Sequence, residues 1–228
     1  MARISNQVDV YLEIGKSRVF ATAIDWPGWS RSGADEASAL QALFAWGPRY
    51  AQALEAGGVA FSPPAEISDL IVVERLAGNV TTDFGAPNLS LAGDTQPVDP
   101  AELQHFQSLL QACWKTLDLA VSAAKGRTLR KGPRGGGRDL EKIVEHVYGV
   151  DEAYLRSLGG KAQPAGGDPN QALSQLRQNI LSTLGAAARG EVPERGQRGG
   201  LRWTPRYFVR RLAWHELDHA WEIEARAE

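Results

Sequence analysis

Cysteine is almost missing from this 228-residue chain: Cys113 stands alone. A single thiol excludes an internal disulfide and fits a reducing, cytoplasmic setting. Long apolar runs are missing too, so no segment reads as a membrane span. The opening MARISNQVDVYLEIG lacks the charged-then-apolar order of a secretory signal. Net charge is only −2, which by itself argues neither for nor against nucleic acid. No glycine-rich phosphate loop stands in a strand-to-helix context, no Ser/His/Asp arrangement is legible, and there is no internal repeat or low-complexity tract. What is present is a 43% hydrophobic fraction, enough for a buried core and against disorder.

Charge is divided unevenly. Residues 1–95 carry 6 Lys/Arg against 11 Asp/Glu, and the remainder carries 19 against 16. That asymmetry suggests two domains. Lys125 to Arg138 holds six basic residues and no acid, and Arg189 to Arg211 is also arginine-rich. The first run lacks the interleaved aromatics that stack on bases, so it is expected to be a solvated, mobile loop and nucleic acid is not an expected partner.

The first third has an α+β pattern. Val8, Val10, Leu12 and Ile14 alternate with Asp9, Tyr11 and Glu13, the period of a half-buried strand. Gly15-Lys16 fits a tight turn, Arg18 to Asp25 a returning strand, and Trp26-Pro27-Gly28-Trp29 a break. From Asp35 the period becomes helical through Leu40, Leu43, Phe44, Tyr50 and Leu54, with Pro48 expected to kink or shorten the helix. Ile67 to Leu76 is expected as a third strand, and Asn79 to Asp99 has turn residues without periodicity. The expected division is an α+β domain over 1–78, a linker over 79–98, and an all-α four-helix bundle over 99–228.

Four helices are expected beyond Pro100. The first opens at Asp99-Pro100, a cap followed by proline, with Leu103, Phe106, Leu110, Cys113 and Leu117 on its apolar face. Cys113 is thereby placed in the core. The second runs from about Asp139 to Leu158 with Ile143, Val147, Val150 and Tyr154 inward; the third opens at Asp168-Pro169 and carries Leu173, Leu176, Ile180 and Leu184. The fourth opens at Thr204-Pro205.

That last helix carries His215-Glu216-Leu217-Asp218-His219. Side chains four apart share one helix face about a turn apart, and Phe208 and Leu212 fall on the same stripe. Histidines there face the interior, where an imidazole is costly unless hydrogen-bonded or metallated. One histidine on an apolar face is ordinarily just a core residue. A pair, joined by His146 between Ile143 and Val147 on the second helix, has the makings of a divalent transition-metal site. Zinc or nickel leads, with iron or manganese as other candidates. Three histidines leave coordination open for water or substrate. Glu222 follows His219 by one turn as a carboxylate ligand, a partner of the ligands, or a solvated ion-pair residue. His105, flanked by Gln104 and Gln107, is expected at the surface. Trp214, Leu217 and Trp221 lie on the opposite side of the same helix, a second apolar stripe that the first domain or a second subunit would cover.

HELDH also fits the HExxH zincin pattern with Glu216 as base. Only nine residues follow His219, Glu222 stands where the metzincin continuation has glycine, and Ala225 where it has histidine, so a protease is not expected.

Two family resemblances rest on these residues. Asp139 to His146 followed by Glu152, together with Arg210 to His219, resembles the second and last helices of DinB-like proteins over residues 100–228. This implies a bundle of up-down-down-up topology holding a divalent metal on His146, His215 and His219. Some members resemble transferases using low-molecular-weight thiols such as bacillithiol or mycothiol. Asp25 to Trp29 and Gly33 to Ala37 resemble the HicB-like antitoxin domain over residues 7–76. In that family the domain binds a toxin partner and a separate segment binds DNA; here the helices take that segment's place, which implies a reused interaction or substrate-gating domain. Two functions are therefore expected: a metal-dependent transferase or small-molecule hydrolase, or a regulatory interaction protein with a structural metal.

Overall fold

The computed structural model describes residues 7–131, 137–161 and 169–228. A four-stranded sheet is followed by helices, the mixed architecture expected from the two patterns. Strands β1 (Val8–Ile14), β2 (Val19–Ala23), β3 (Ser30–Gly33) and β4 (Leu70–Ala77) lie in the order β3-β2-β1-β4. The β1–β2 hairpin closes where the Gly15 amide donates to the Arg18 carbonyl at 2.8 Å. β1 and β4 are parallel and joined through helix α1 (Glu36–Glu55).

Strand β3 was not expected. Ser30-Arg31-Ser32-Gly33 has no apolar alternation, and it is held by backbone pairing with β2 and by a 2.6 Å hydroxyl contact between Ser30 and Thr22. The expected strand from Ile67 begins instead at Leu70, because Ile67–Asp69 forms a 3-10 turn in which Asp69 accepts from the Glu66 amide at 3.1 Å. Pro48 does not shorten α1, which continues to Glu55. Interior proline costs a helix about 3 kcal/mol, and here packing on both sides of it offsets that. Trp29 donates to the Leu43 carbonyl at 3.0 Å, while Tyr50 and Leu54 beyond the proline are fully buried. At the start, Asp35 accepts from the Ser38 amide at 2.8 Å and Ser38 returns the bond, a reciprocal cap.

The face of β1 that alternation marks as polar is also covered. Tyr11 is 2% exposed and Glu13 is fully buried. Thr82 donates its hydroxyl to the Glu13 carboxylate, and the amides of Asn88 and Leu89 donate to it at 3.0 and 3.1 Å. The segment expected as a linker is thus clasped to the sheet. It contains helix α2 (Val80–Phe84) and a 3-10 turn at Ala92–Thr95.

Beyond it come α3 (Pro100–Ala124), α4 (Leu140–Leu158), α5 (Pro169–Ala188) and α6 (Pro205–Arg226). Asp99 caps α3 by accepting from the Ala101 and Glu102 amides at 2.8 Å, and Asp139 caps α4 from the Lys142 amide at 2.9 Å. Thr204 precedes α6 but makes no side-chain cap bond. The expected cap Asp168 lies outside the described residues, as does 132–136 of the basic run. The described part of that run is tied down rather than free: Arg130 and Arg226 exchange bonds at 2.8 Å, and the Glu228 amide donates to the Thr128 carbonyl. Glu102 pairs with Arg206 near the start of both helices, and Leu129 bridges Ala227 near their ends, so α3 and α6 run in the same direction. Tyr154 meets Arg211 while His146 meets His219, so α4 opposes α6; Asp118 meets Arg177 and Gln107 meets Leu181, so α5 opposes α3.

The second stripe of α6 is covered by the first third of the same chain. Phe20 packs edge-on to Trp214 at 6.4 Å, Trp46 to Trp221 at 6.1 Å, and the Arg31 guanidinium lies 4.2 Å from the centroid of each of Trp46 and Trp221. One contiguous core runs from Val8 to Trp221. Gly28 sits in this contact at φ 95°, where an added Cβ would be 3.0 Å from Leu217 and 3.2 Å from Ala213. Gly28→Ala is therefore expected to destabilise by about 1–2 kcal/mol from the backbone conformation alone, measured as a lowered midpoint of urea unfolding.

Candidate metal centre

The cap at Asp139 sets the register of α4, placing His146 two turns in between the buried Ile143 and Val147. On α6, Phe208 and Leu212 are fully buried on the stripe that continues through His215 and His219. Antiparallel packing then brings His146 opposite the pair. Ring centroids are 5.2 Å apart for His146–His215, 5.1 Å for His146–His219 and 4.6 Å for His215–His219. One ring nitrogen from each lies within 4.8 Å of the others. The Nε2 atoms of His146 and His215 are 3.3 Å apart. Two nitrogens bound tetrahedrally to one zinc at about 2.0–2.1 Å would be about 3.3–3.4 Å apart, so the donor spacing fits such an ion.

Each imidazole has a different environment. His215 is 6% exposed, and burial, then the charges of His219 and His146, push its pKa well below the usual 6.5. His146 is half-buried on the outer side of the cluster, and its pKa is also lowered, first by burial and then by Arg138 and His219. His219 is 12% exposed at its side chain, and its Nδ1 faces Glu222 Oε2 at 2.8 Å. With Nδ1–H donating to that carboxylate, Nε2 is left to bind a metal, the usual role of a carboxylate behind a ligating histidine. The bond from His219 is also the main reason the Glu222 carboxyl titrates below its ordinary range. Arg226 pairs with Glu222 and anchors to the Arg130 and Arg138 carbonyls at 2.8 Å, tying this arm to the loop before α4. Glu222→Ala is expected to lower metal affinity about 10–100-fold with little change in fold, measured by competition against a chromogenic chelator.

Of the residues singled out in sequence, His146, His215 and His219 converge, and Glu222 supports His219. His105 is not a free surface residue. It packs edge-on to Trp26 at 5.4 Å and lines a cavity of about 830 Å³ with Phe106, Glu102 and Arg206. Cys113 is buried, and burial, followed by the Glu216 charge, raises its thiol well above the ordinary range. Asp151 was missed, and Glu216 was weighed only as the base of a protease pattern. Asp151 continues the buried row Ile143, Val147, Leu155, whereas Val150 and Tyr154, expected inward, are only half-buried. Four-residue spacing from Val147 and Leu155 was the available signal, masked by the residue's charge. Burial raises the Glu216 carboxyl to about 7 and, with the facing Glu216, pushes Asp151 well above its ordinary range. The Tyr154 ring lies 5.9 Å from that of His215, and its hydroxyl accepts from Arg211 at 2.8 Å, placing a polar wall beside the cluster. Among the described residues no helix is long and apolar enough to cross a membrane. No family model, curated protein or solved structure matches the chain.

Proposed function

We propose that His146, His215 and His219 bind one divalent transition metal, and that the centre serves a transferase or hydrolase acting on a small molecule or low-molecular-weight thiol. The observation that carries this is the convergence of three imidazoles, with two Nε2 atoms at the 3.3 Å spacing that one tetrahedral ion would require. An all-imidazole donor set suits zinc or nickel first, and iron or manganese remain candidates. Three protein ligands are the pattern of catalytic zinc sites, whereas structural sites close with four. That favours an enzyme over an interaction protein with a structural metal. Half-exposed His146 marks the side from which a substrate would approach. Bound there, a metal would lower the pKa of a coordinated water or thiol. The protein's part is to hold His215 and His146 neutral, fix the His219 tautomer through Glu222, and present the Tyr154 hydroxyl beside the cluster.

The directions of the helices, with α3 and α6 opposed by α4 and α5, support a DinB-like up-down-down-up bundle over 99–228. The strand order with α1 between β3 and β4 supports a HicB-like origin for the first third. In this reading that domain covers α6 within its own chain, and a toxin-type protein partner is not needed to explain it. The test is metal analysis of the purified protein with a screen of thiol-conjugation and hydrolysis substrates. One tightly bound equivalent per chain is expected. Cobalt-substituted protein should change its visible spectrum when a small thiol is added. Failure to take up any of zinc, nickel, iron or manganese would remove the proposal; a metal whose spectrum never responds to added ligands would favour the structural role.

A further inference from the structure

Behind the histidine cluster lies a second set of donors that the three-histidine site does not use. Asp151 on α4 is 1% exposed and Glu216 on α6 is fully buried. One oxygen from each and one ring nitrogen of His215 lie within 4.8 Å of one another. Asp151 Oδ1, both carboxylate oxygens of Glu216 and His215 Nδ1 are all buried without a hydrogen-bond partner. Buried polar atoms are costly to leave unsatisfied; a proton shared between the two facing carboxyls meets part of this set in the metal-free protein, and His215 Nδ1 and the remaining oxygens are left over. Arg177 acts on both carboxyls only through its charge, because its two terminal nitrogens are bonded to Asp118 at 2.7 and 2.8 Å and its buried Nε makes no hydrogen bond.

We infer that Asp151, Glu216 and Nδ1 of His215 form a second divalent-cation position adjoining the histidine site. A cation there would displace the proton shared by the two carboxyls and take one donor atom from each of Asp151, Glu216 and His215. The donor set is harder than three imidazoles. Carboxylate oxygens suit manganese and imidazole suits iron and zinc, so a manganese- or iron-like ion is the class that fits the mixture. Paired ions held between facing helices by inward carboxylates and histidines are a known use of bundles. His215 is the joint between the positions: Nε2 faces His146 and Nδ1 serves the carboxylates. Using both nitrogens releases the imidazole proton to solvent when the second ion binds. The inference draws on the three-histidine reading only through this shared ring.

The experiment uses the full chain stripped of metal, loaded first with one equivalent of zinc and then dialysed against manganese. Bound metal is counted by mass spectrometry, and free manganese by its paramagnetic resonance signal. Wild-type protein is expected to hold one zinc and one manganese. Asp151→Asn combined with Glu216→Gln, which keeps shape and removes charge, should keep the zinc and lose at least nine-tenths of the manganese. His146→Ala combined with His219→Ala should do the reverse. Wild-type protein that takes up no manganese overturns the second position, and so does uptake that survives the Asn/Gln pair. Loss of zinc binding in wild-type protein with carboxylate-dependent manganese retained would instead refute the histidine site alone. If the Asn/Gln pair fails to fold, Asp151→Asn alone is counted in the same way and should also lose the manganese and keep the zinc.

Discussion

Replacing His146, His215 or His219 singly with alanine should abolish stoichiometric zinc binding at the histidine site, while His105→Ala should leave it unchanged. Each removes one of three donors whose nitrogens lie within 4.8 Å of one another, so each loss should exceed the about 10–100-fold expected for an outer partner such as Glu222. The pH dependence has a definite sign. A protonated imidazole cannot bind metal. Burial holds His215 well below 6.5 and His146 below it, so both stay neutral where a free histidine is half protonated. Protonation of these two imidazoles should therefore cost occupancy, measured by dialysis, only at pH values below 6.5. The metal-free protein should show the linked effect. Unfolded histidines take up protons around 6.5 while these two resist, so their contribution is fully present above 6.5 and is lost as pH falls below it toward their folded values. A drop in occupancy centred above 6.5 would contradict the buried environment described for His215.

The histidine triad was legible because it needs only two facts: i,i+4 spacing on one helix and an apolar neighbourhood on another. Ile143 and Val147 supplied the second, and the packing of α4 against α6 did the rest. Asp151 was not legible by the same rule. Its charge disqualifies it from an apolar stripe, yet its position between Val147 and Leu155 puts it inside. Glu216 was considered only as a protease base, a role that needs contact with a metal-bound water on the open side. In the structure it is fully buried and faces Asp151.

The same logic separates what was read of the sheet from what was not. β1 announced itself by alternation, but alternation also implied that Tyr11 and Glu13 meet solvent. They do not, because residues 79–98 and α6 lie over that face. No periodicity marks such a covering segment. It is held by polar contacts to Glu13 and Arg210, which depend on the tertiary arrangement. Ser30–Gly33 escaped for a related reason: its place in the sheet comes from backbone pairing and one buried hydroxyl contact, not from apolar alternation. Pro48 shows the opposite error, a strong local rule outweighed by the contacts of Trp29, Tyr50 and Leu54.

The covering segment is where a single substitution should cost most in stability. Asp94 is 3% exposed and Arg210 is 6% exposed, and their side chains form two parallel bonds of 2.6 Å. Asp94 also accepts from the Leu91 amide at 2.7 Å, and Arg210 lies 5.4 Å from the Tyr11 ring. The pair thus joins the segment between the two halves to both α6 and β1. Asp94→Ala leaves the guanidinium buried without its partner, which should cost about 3–5 kcal/mol, read as a lower urea midpoint at unchanged slope. Replacing both partners, Asp94→Leu with Arg210→Met, should recover most of that loss, since removing two buried charges together is often neutral or better. Metal occupancy at saturating zinc should be equal in both variants at temperatures where they are folded, because Arg210 precedes His215 by more than a helical turn and contacts none of the three imidazoles. A cost for Asp94→Ala within about 1 kcal/mol, the scale of an exposed ion pair, would mean that this clasp is open to solvent and does not hold the segment against α6.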